Sequence, residues 1–321
     1  MKYEISCMDT WPDKVKEILI DCAPADFNLR FAESYDFEHQ VDLIRHADAI
    51  LPGFATVTED LLKNAERLKF VQKWGIGIDR IDVSALRSRG IPLAITGGAN
   101  AHPVSELAIA LMLAVYRRIY YNNAVMRLGK WPKDEMRETC FQLFGKRIGI
   151  VGFGNIGRKL ARKLQGFEAD VIYFDPVQAP VALEKSLNVR WCEFDELIQS
   201  TDIVSLHLPV NEKTQGMLGA EQFSRMKKGA VLINTARGEL IDENALYEAI
   251  RDRHLLGAGL DAFNPEPISR GNPLLSLSEV VVMPHGGGGV LDNVANVGRH
   301  AFGNMLKVFQ GQALAPADLI A

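Results

Sequence analysis

The stretch from Lys146 to Pro176 constrains this chain more than any other. Arg147 to Val151 is a short apolar run, which predicts a buried strand. Gly152, Gly154 and Gly157 follow in the spacing G-x-G-x-x-G. Ile156, Leu160, Ala161 and Leu164 then recur at helical spacing, and Val171 to Phe174 forms a second apolar run ending at Asp175. Each glycine has a physical task. Gly152 permits a tight turn, Gly154 lets the backbone approach a pyrophosphate, and Gly157 lets helix and strand pack closely. The start of the helix offers unpaired N–H groups and the positive end of its dipole to the phosphates.

Glycines alone mark ordinary turns, but here strand, turn, helix, strand and terminal acid fall in order, which is the context of a dinucleotide-binding unit. A Rossmann-like domain for another adenosine cofactor, such as a methyl donor, is the competing reading. Asp175 stands where a carboxylate accepts hydrogen bonds from ribose hydroxyls and meets a 2′-phosphate with like charge. NAD is therefore expected over NADP, although Arg158 nearby softens that preference.

The remaining numbers bound the setting. The 321 residues suffice for two domains. A net charge of −4 gives no general pull toward nucleic acid or an anionic membrane. No apolar run is long enough to cross a bilayer, and the first residues lack a signal-peptide pattern. Cys7, Cys22, Cys140 and Cys192 are scattered and form no C-x-x-C pair. They read as reduced packing thiols of a cytoplasmic protein, and no metal site is expected.

Residues 1 to 99 alternate short apolar strands (Tyr3–Cys7, Ala49–Leu51, Phe70–Gln72) with helical patterns, so a mostly parallel sheet is expected. Thr58 is a candidate N-cap for a helix carrying Leu61, Leu62 and Ala65. Gly75 and Gly77, flanking Ile76, are positioned to offer backbone N–H groups to a small anion such as a substrate carboxylate. Taken alone, that segment reads as a turn. Val104 to Tyr116 is a helix apolar around most of its surface, which requires cover on all sides, from another domain or from a partner subunit. Further strands are expected at Ile203–Leu208, Ala230–Asn234, Leu256–Ala262 and Val280–Met283, and a last helix at Val294–Phe309.

Three residues follow such strands and carry the expected chemistry. Arg237, before Gly238, can hold a carboxylate through two parallel hydrogen bonds. His285, between Pro284 and a run of four glycines, can pass a proton to a carbonyl oxygen. Glu266, between Pro265 and Pro267, would orient the imidazole and favour its charged form. Singly these read as a surface ion pair, a structural histidine and a solvated loop charge. Together with a nicotinamide cofactor they suggest hydride transfer between a 2-keto acid and a 2-hydroxy acid.

The chain resembles the D-isomer-specific 2-hydroxyacid dehydrogenase family over nearly its full length. The motifs are Gly75-Ile76-Gly77-Ile78-Asp79-Arg80-Ile81-Asp82, Val151-Gly152-Phe153-Gly154-Asn155-Ile156-Gly157 with Asp175, and Ser205-Leu206-His207-Leu208-Pro209. They continue with Asn234-Thr235-Ala236-Arg237-Gly238, Leu260-Asp261-Ala262-Phe263-Asn264-Pro265-Glu266-Pro267 and Pro284-His285-Gly286-Gly287. The resemblance implies an α/β fold of two Rossmann-like domains with parallel sheets. A discontinuous substrate domain (1–99 plus 290–321) would surround an NAD-binding domain (100–289), with substrate in the cleft between them. It implies Arg237, Glu266 and His285 as the catalytic set. Gly152, Gly154, Asn155, Ile156, Gly157, Asp175, His207, Leu208 and Pro209 would bind cofactor. Asp261 would meet the nicotinamide carboxamide, and Thr235, Ala236 and Arg237 with His285 and Gly287 would line its ring. Gly75, Ile76, Gly77 and Arg237 would bind the substrate. A homodimer built around the Val104 helix and the Trp131 loop is also implied.

Two departures stand out. Phe54 lies in the Leu51-Pro52-Gly53-Phe54-Ala55-Thr56 loop, where phosphoglycerate-type members carry a basic or hydroxyl residue, so a phosphate grip is missing there. The Gly286 to Gly289 run is unusually glycine-rich, and His102 is left without a role. Glyoxylate, hydroxypyruvate, pyruvate-like acids and larger apolar 2-keto acids all fit the pattern. A second function is kept open, an NAD(H)-sensing or corepressor-like protein on the same fold, because fold does not determine function.

Overall fold

The computed structural model describes residues 2–320. The chain divides into two compact units. One takes the chain up to Asn100 and again from Gly289 onward, and the other runs from Ala101 to Gly288.

The first unit has five strands: β1 (Tyr3–Cys7), β2 (Phe27–Phe31), β3 (Ala49–Leu51), β4 (Phe70–Gln72) and β5 (Leu93–Ala94). They lie in the order β2-β1-β3-β4-β5 with every pair parallel. β3 and β4 are buried at every position, as strands covered on both faces must be. One face packs Ile5, Leu51 and Phe70 under the helices Asp13–Cys22 and Val294–Phe309. The other packs Ile50 and Val71 under Val41, Ile44, Leu61, Leu62 and Leu86. Thr58 caps the short helix Glu59–Leu62, its Oγ1 accepting from Leu61 N at 3.2 Å, while Ala65 lies beyond that helix. The tail after Gly311 returns to the sheet. Leu319 bridges Ala94 in antiparallel sense, and Ile320 N donates to Leu93 O at 2.9 Å. Asp318 accepts from Gly97 N at 3.0 Å and lies 2.8 Å from His300 Nε2.

The second unit holds β6 (Arg147–Val151), β7 (Asp170–Phe174), β8 (Val189–Trp191), β9 (Ile203–Leu206), β10 (Val231–Asn234), β11 (Gly257–Leu260) and β12 (Val280–Val282). Their order is β12-β11-β10-β9-β6-β7-β8, again all parallel. The winding reverses between β6 and β9, so their carboxyl ends border the crevice in which ligands of such sheets sit. The apolar helix Ala101–Tyr116 finds its cover within this unit, against β10, β11, β12 and the glycine-loop helix. Gly259 makes that approach feasible, since a Cβ there would come within 2.7 Å of Leu111 Cβ. Among the described residues no helix is long and apolar enough to cross a membrane.

Several expected strands are shorter than their apolar runs. β9 stops at Leu206, leaving His207 and Leu208 in the loop, and β11 spans only Gly257–Leu260. β2, β5 and β8 were not expected. β2 and β8 are edge strands with exposed alternate positions, and β5 is two residues long. All four cysteines are free; Cys7 and Cys192 are buried, which pushes their thiol pKa values up, that of Cys192 to about 11.

Candidate active site

The glycine loop leaves β6 at Val151. Gly152 has φ +95°, and a Cβ on it would collide with the His207 carbonyl. A Cβ on Gly157 would strike the Gly152 carbonyl, whereas a Cβ on Gly154 would meet nothing within 4 Å. Thus Gly152 and Gly157 are glycines for the fold, and Gly154 faces open space. The helix Asn155–Leu164 begins there with no side chain capping its first turn, so its leading amides remain available to an anion. Asp175 closes the loop, with Oδ2 accepting from Phe153 N at 2.8 Å and Oδ1 from Val177 N at 3.0 Å. Arg158 Nε donates to Phe153 O at 2.8 Å, which ties this cation to the loop.

Across the crevice, His207 N donates to Val151 O at 2.7 Å, and its Nε2 lies 2.8 Å from Ser205 Oγ. Burial pushes the pKa of His207 down to about 3, so the ring is neutral. Its Nδ1 is sealed from solvent without a partner, and so is Thr235 Oγ1 after β10. Buried polar atoms are rarely left unpaired. These two, the open space at Gly154 and the uncapped helix start suit a polar, anionic ligand such as a dinucleotide.

The loops after β10, β11 and β12 are neighbours in the sheet order. In the first, Asn234 fixes the turn: Oδ1 accepts from Ala236 N at 3.0 Å and Nδ2 donates to Arg237 O at 2.7 Å. Arg237 Nη1 donates to Ala236 O at 2.6 Å. Gly238 lets this turn press against the next loop, where a side chain would run into the Phe263 backbone. In that next loop Glu266 accepts from Phe263 N at 3.1 Å. His285 Nδ1 lies 2.9 Å from both carboxylate oxygens of Glu266. His285 itself has φ +54°. Asp261 pins the glycines that follow: Oδ1 accepts from Gly286 N at 2.7 Å and Oδ2 from Gly287 N at 2.8 Å. Burial raises the pKa of Asp261, and these two amide bonds oppose that rise.

In the first unit the expectation for Gly75 needs correction. Gly75 N donates to Thr96 Oγ1 at 2.8 Å, so that amide is not an open donor. The need for φ +98° at Gly75 accounts for the glycine instead. Ile76 is 41% exposed, and among the described residues neither its N–H nor that of Gly77 has an intramolecular acceptor. His102 is exposed on the first turn of the helix Ala101–Tyr116. Two residues that motif reading did not single out help to build these loops. Asn234 was visible only as a neighbour of Arg237. Asp9, whose carboxylate accepts from Phe54 N at 2.6 Å and Ala55 N at 2.9 Å, left no local signal.

A parallel sheet with a switch-point crevice, a glycine loop and a paired histidine and glutamate after its outer strands define a nucleotide-dependent oxidoreductase. The family description "D-isomer specific 2-hydroxyacid dehydrogenase, NAD binding domain" matches residues 109–287. A hydroxypyruvate reductase from Thermotoga maritima is 37% identical over 83% of this chain and 86% of its own length. A glyoxylate reductase from Korarchaeum cryptofilum is 36% identical over 76% of this chain and 74% of its own. Among solved structures, the D-mandelate dehydrogenase of Rhodotorula graminis superposes with a TM-score of 0.87 at 25% identity, covering 100% of this chain and 98% of its own. The chain belongs to the D-isomer-specific 2-hydroxyacid dehydrogenase family. It is an NAD-dependent oxidoreductase, and the sensor or corepressor-like alternative is not favoured. The chain spans about half the length of the D-3-phosphoglycerate dehydrogenases that it also matches.

Proposed function

We propose that this enzyme interconverts a small 2-keto acid and its D-2-hydroxy acid, with His285 as acid/base, Glu266 as its orienting partner and Arg237 as the carboxylate anchor. The observation that carries this reading is the paired contact of His285 Nδ1 with both Glu266 oxygens at 2.9 Å. With Nδ1 committed there, Nε2 is the nitrogen that can address a substrate. In reduction, Nε2–H gives its proton to the carbonyl oxygen as that oxygen gains charge; in oxidation Nε2 takes the hydroxyl proton. Bound NADH supplies the hydride and NAD⁺ accepts it. Arg237 would hold the substrate carboxylate and draw charge from the adjoining carbonyl. Asp261 would hold Gly286 and Gly287, and through them the backbone that carries His285.

The relatives named for glyoxylate and hydroxypyruvate point to short 2-keto acids as first candidates. Ile76 and Gly77 N–H are the donors in the first unit that suit a carboxylate. We also propose a cytoplasmic homodimer; Leu128 and Trp131, 77% and 75% exposed, are surfaces such an association would cover. The test is NADH oxidation followed by absorbance across glyoxylate, hydroxypyruvate, 3-phosphohydroxypyruvate and a branched-chain 2-keto acid, repeated with NADPH. Turnover of any of them supports the reading. Silence across the panel with NADH still bound overturns it.

A further inference from the structure

Glu243 opens the helix Glu243–Arg251, where an acidic side chain ordinarily serves the helix start. Its neighbour already does this: Asp242 Oδ1 accepts from Asn244 N and Ala245 N at 3.0 Å each. Glu243 turns both of its oxygens to another loop. Oε1 accepts from Asn264 N at 2.9 Å, and Oε2 accepts from Asn272 Nδ2. These two partners bracket the segment 264–272, and Glu266 lies within it. Apolar side chains anchor the same segment at its ends: Phe263 and Leu274 are buried in one cluster with Leu246 and Ile250 of that helix. The Asn272 amide is fixed in its orientation, because its Oδ1 accepts from Leu274 N at 3.0 Å. The neighbouring amides of Phe263 and Asn264 thus go to different carboxylates, the first to Glu266 at 3.1 Å and the second to Glu243. Gly238 presses on the same peptide, since a Cβ there would come within 2.5 Å of Asn264 N. Only the short turn Gly238–Leu240 and two further residues lead from that contact to Glu243. One stretch of chain therefore carries Arg237, packs against the peptide joining Phe263 to Asn264, and then binds it.

We propose that Glu243 is a positioning residue for the acid/base pair: it holds the segment 264–272 so that the Glu266 carboxylate stays against His285 Nδ1. The inference deepens the proposed reaction, on which its kinetic consequence rests, and its structural cause lies wholly within the second unit. Glu266 meets His285 Nδ1 with both oxygens at 2.9 Å, and such a contact fixes the ring only while the carboxylate is itself held. The Phe263 amide holds Glu266 directly, and Glu243 fixes the next amide along, that of Asn264. A neutral imidazole keeps its proton on Nδ1 when an acceptor stands there, and shares it between both nitrogens when none does. The Nδ1–H form is the one that leaves a lone pair on Nε2 to take a hydroxyl proton. Without Glu243 the segment loosens, the Nε2–H form grows, and that form cannot act as the base in oxidation.

The experiment compares the full native chain with Glu243→Ala, with Glu243→Gln, and with a double variant, Glu243→Gln plus Asn272→Asp. The double variant exchanges donor and acceptor across one contact. Its glutamine oxygen accepts from Asn264 N, its glutamine amide donates to the new carboxylate, and that carboxylate still accepts from Leu274 N. The proteins carry isotope-labelled histidine. Long-range nitrogen–proton spectra at alkaline pH, where imidazoles are neutral, give the share of the His285 ring in the Nδ1–H form. Its signals are assigned by their loss in His285→Ala. The share is expected to fall about twofold in Glu243→Ala, less in Glu243→Gln, and to return in the double variant. In parallel, kcat with NADH and glyoxylate or hydroxypyruvate is expected to fall about tenfold in Glu243→Ala, with KM and NADH binding changed less than about twofold. A glutamate that serves only the helix start would lower the melting temperature and leave the ring as in the native chain. That result in folded Glu243→Ala overturns the proposal, as does a share that the double variant fails to restore, or a native ring found mainly in the Nε2–H form. If the native enzyme turns over no 2-keto acid, the proposed reaction fails and the spectra alone decide the role of Glu243. Should Glu243→Ala not fold, the comparison of Glu243→Gln with the double variant decides.

Discussion

His285 Nδ1 lies within 2.9 Å of both carboxylate oxygens of Glu266, although the two residues stand on loops that follow different strands. Phe263 N donates to the same carboxylate at 3.1 Å, so Glu266 is itself held before it holds the ring. Replacing His285 by Ala is expected to lower kcat by about 100- to 10,000-fold while NADH still binds, because it removes proton transfer and no part of the glycine loop. Glu266→Gln should lose less, with the loss in kcat larger than any change in KM. Stopped-flow turnover beside NADH fluorescence titration separates the two; a His285→Ala enzyme of native activity would remove the histidine from the mechanism.

The three glycines of the loop should part company when each is changed to Ala. Gly152→Ala and Gly157→Ala place a methyl against a backbone carbonyl, and Gly152 adds a strained φ of +95°. Both should lower stability by about 1–3 kcal/mol. Gly154→Ala meets nothing within 4 Å and should leave the melting temperature in place while weakening NADH binding. Thermal melts and binding titrations on the three variants test this. Equal loss of stability in all three would contradict it.

Asp175 has two tasks, holding Phe153 N at 2.8 Å and presenting negative charge beyond β7. The native enzyme should show a lower KM for NADH than for NADPH. Asp175→Ser should narrow that difference, by about tenfold in the ratio of kcat/KM values. Native kinetics that favour NADPH would refute the role given to this carboxylate.

Burial holds the pKa of His207 near 3, below its ordinary 6.5, so the unfolded chain takes up a proton where the folded chain does not. The resulting stabilisation is whole above about pH 6.5 and is lost as pH falls toward 3, at a slope of at most about 1.4 kcal/mol per pH unit. His207→Gln should therefore flatten the fall in stability between about pH 7 and about pH 5 in urea unfolding. A slope identical to that of the native protein would place the ring in contact with water.

The parts that can be read along the chain are those whose physics is local. β6, its glycines and β7 follow from apolar runs and fixed spacing, and the strands Tyr3–Cys7, Ala49–Leu51 and Phe70–Gln72 fall where their apolar residues do. What escapes notice depends on partners distant in sequence. β5 is two residues long and exists because β4 lies on one side and the returning tail on the other. The fate of the Gly75 amide was decided by Thr96, and that of the Gly53–Ala55 amides by Asp9. β2 and β8 expose alternate side chains at sheet edges, so their hydrophobic signal is half that of a covered strand.

The division of the first unit around the second has a bearing on birth at the ribosome. Ile5, Leu51 and Phe70 leave the ribosome before the whole second unit, and Ala301, Phe302 and Met305, which pack in the same cluster, leave only after it. The second unit is continuous and can close as soon as its own strands are present. The part of the first unit that precedes the second must therefore wait with an oily face uncovered until the second unit has been made, and this waiting surface is one that a nascent-chain chaperone would meet.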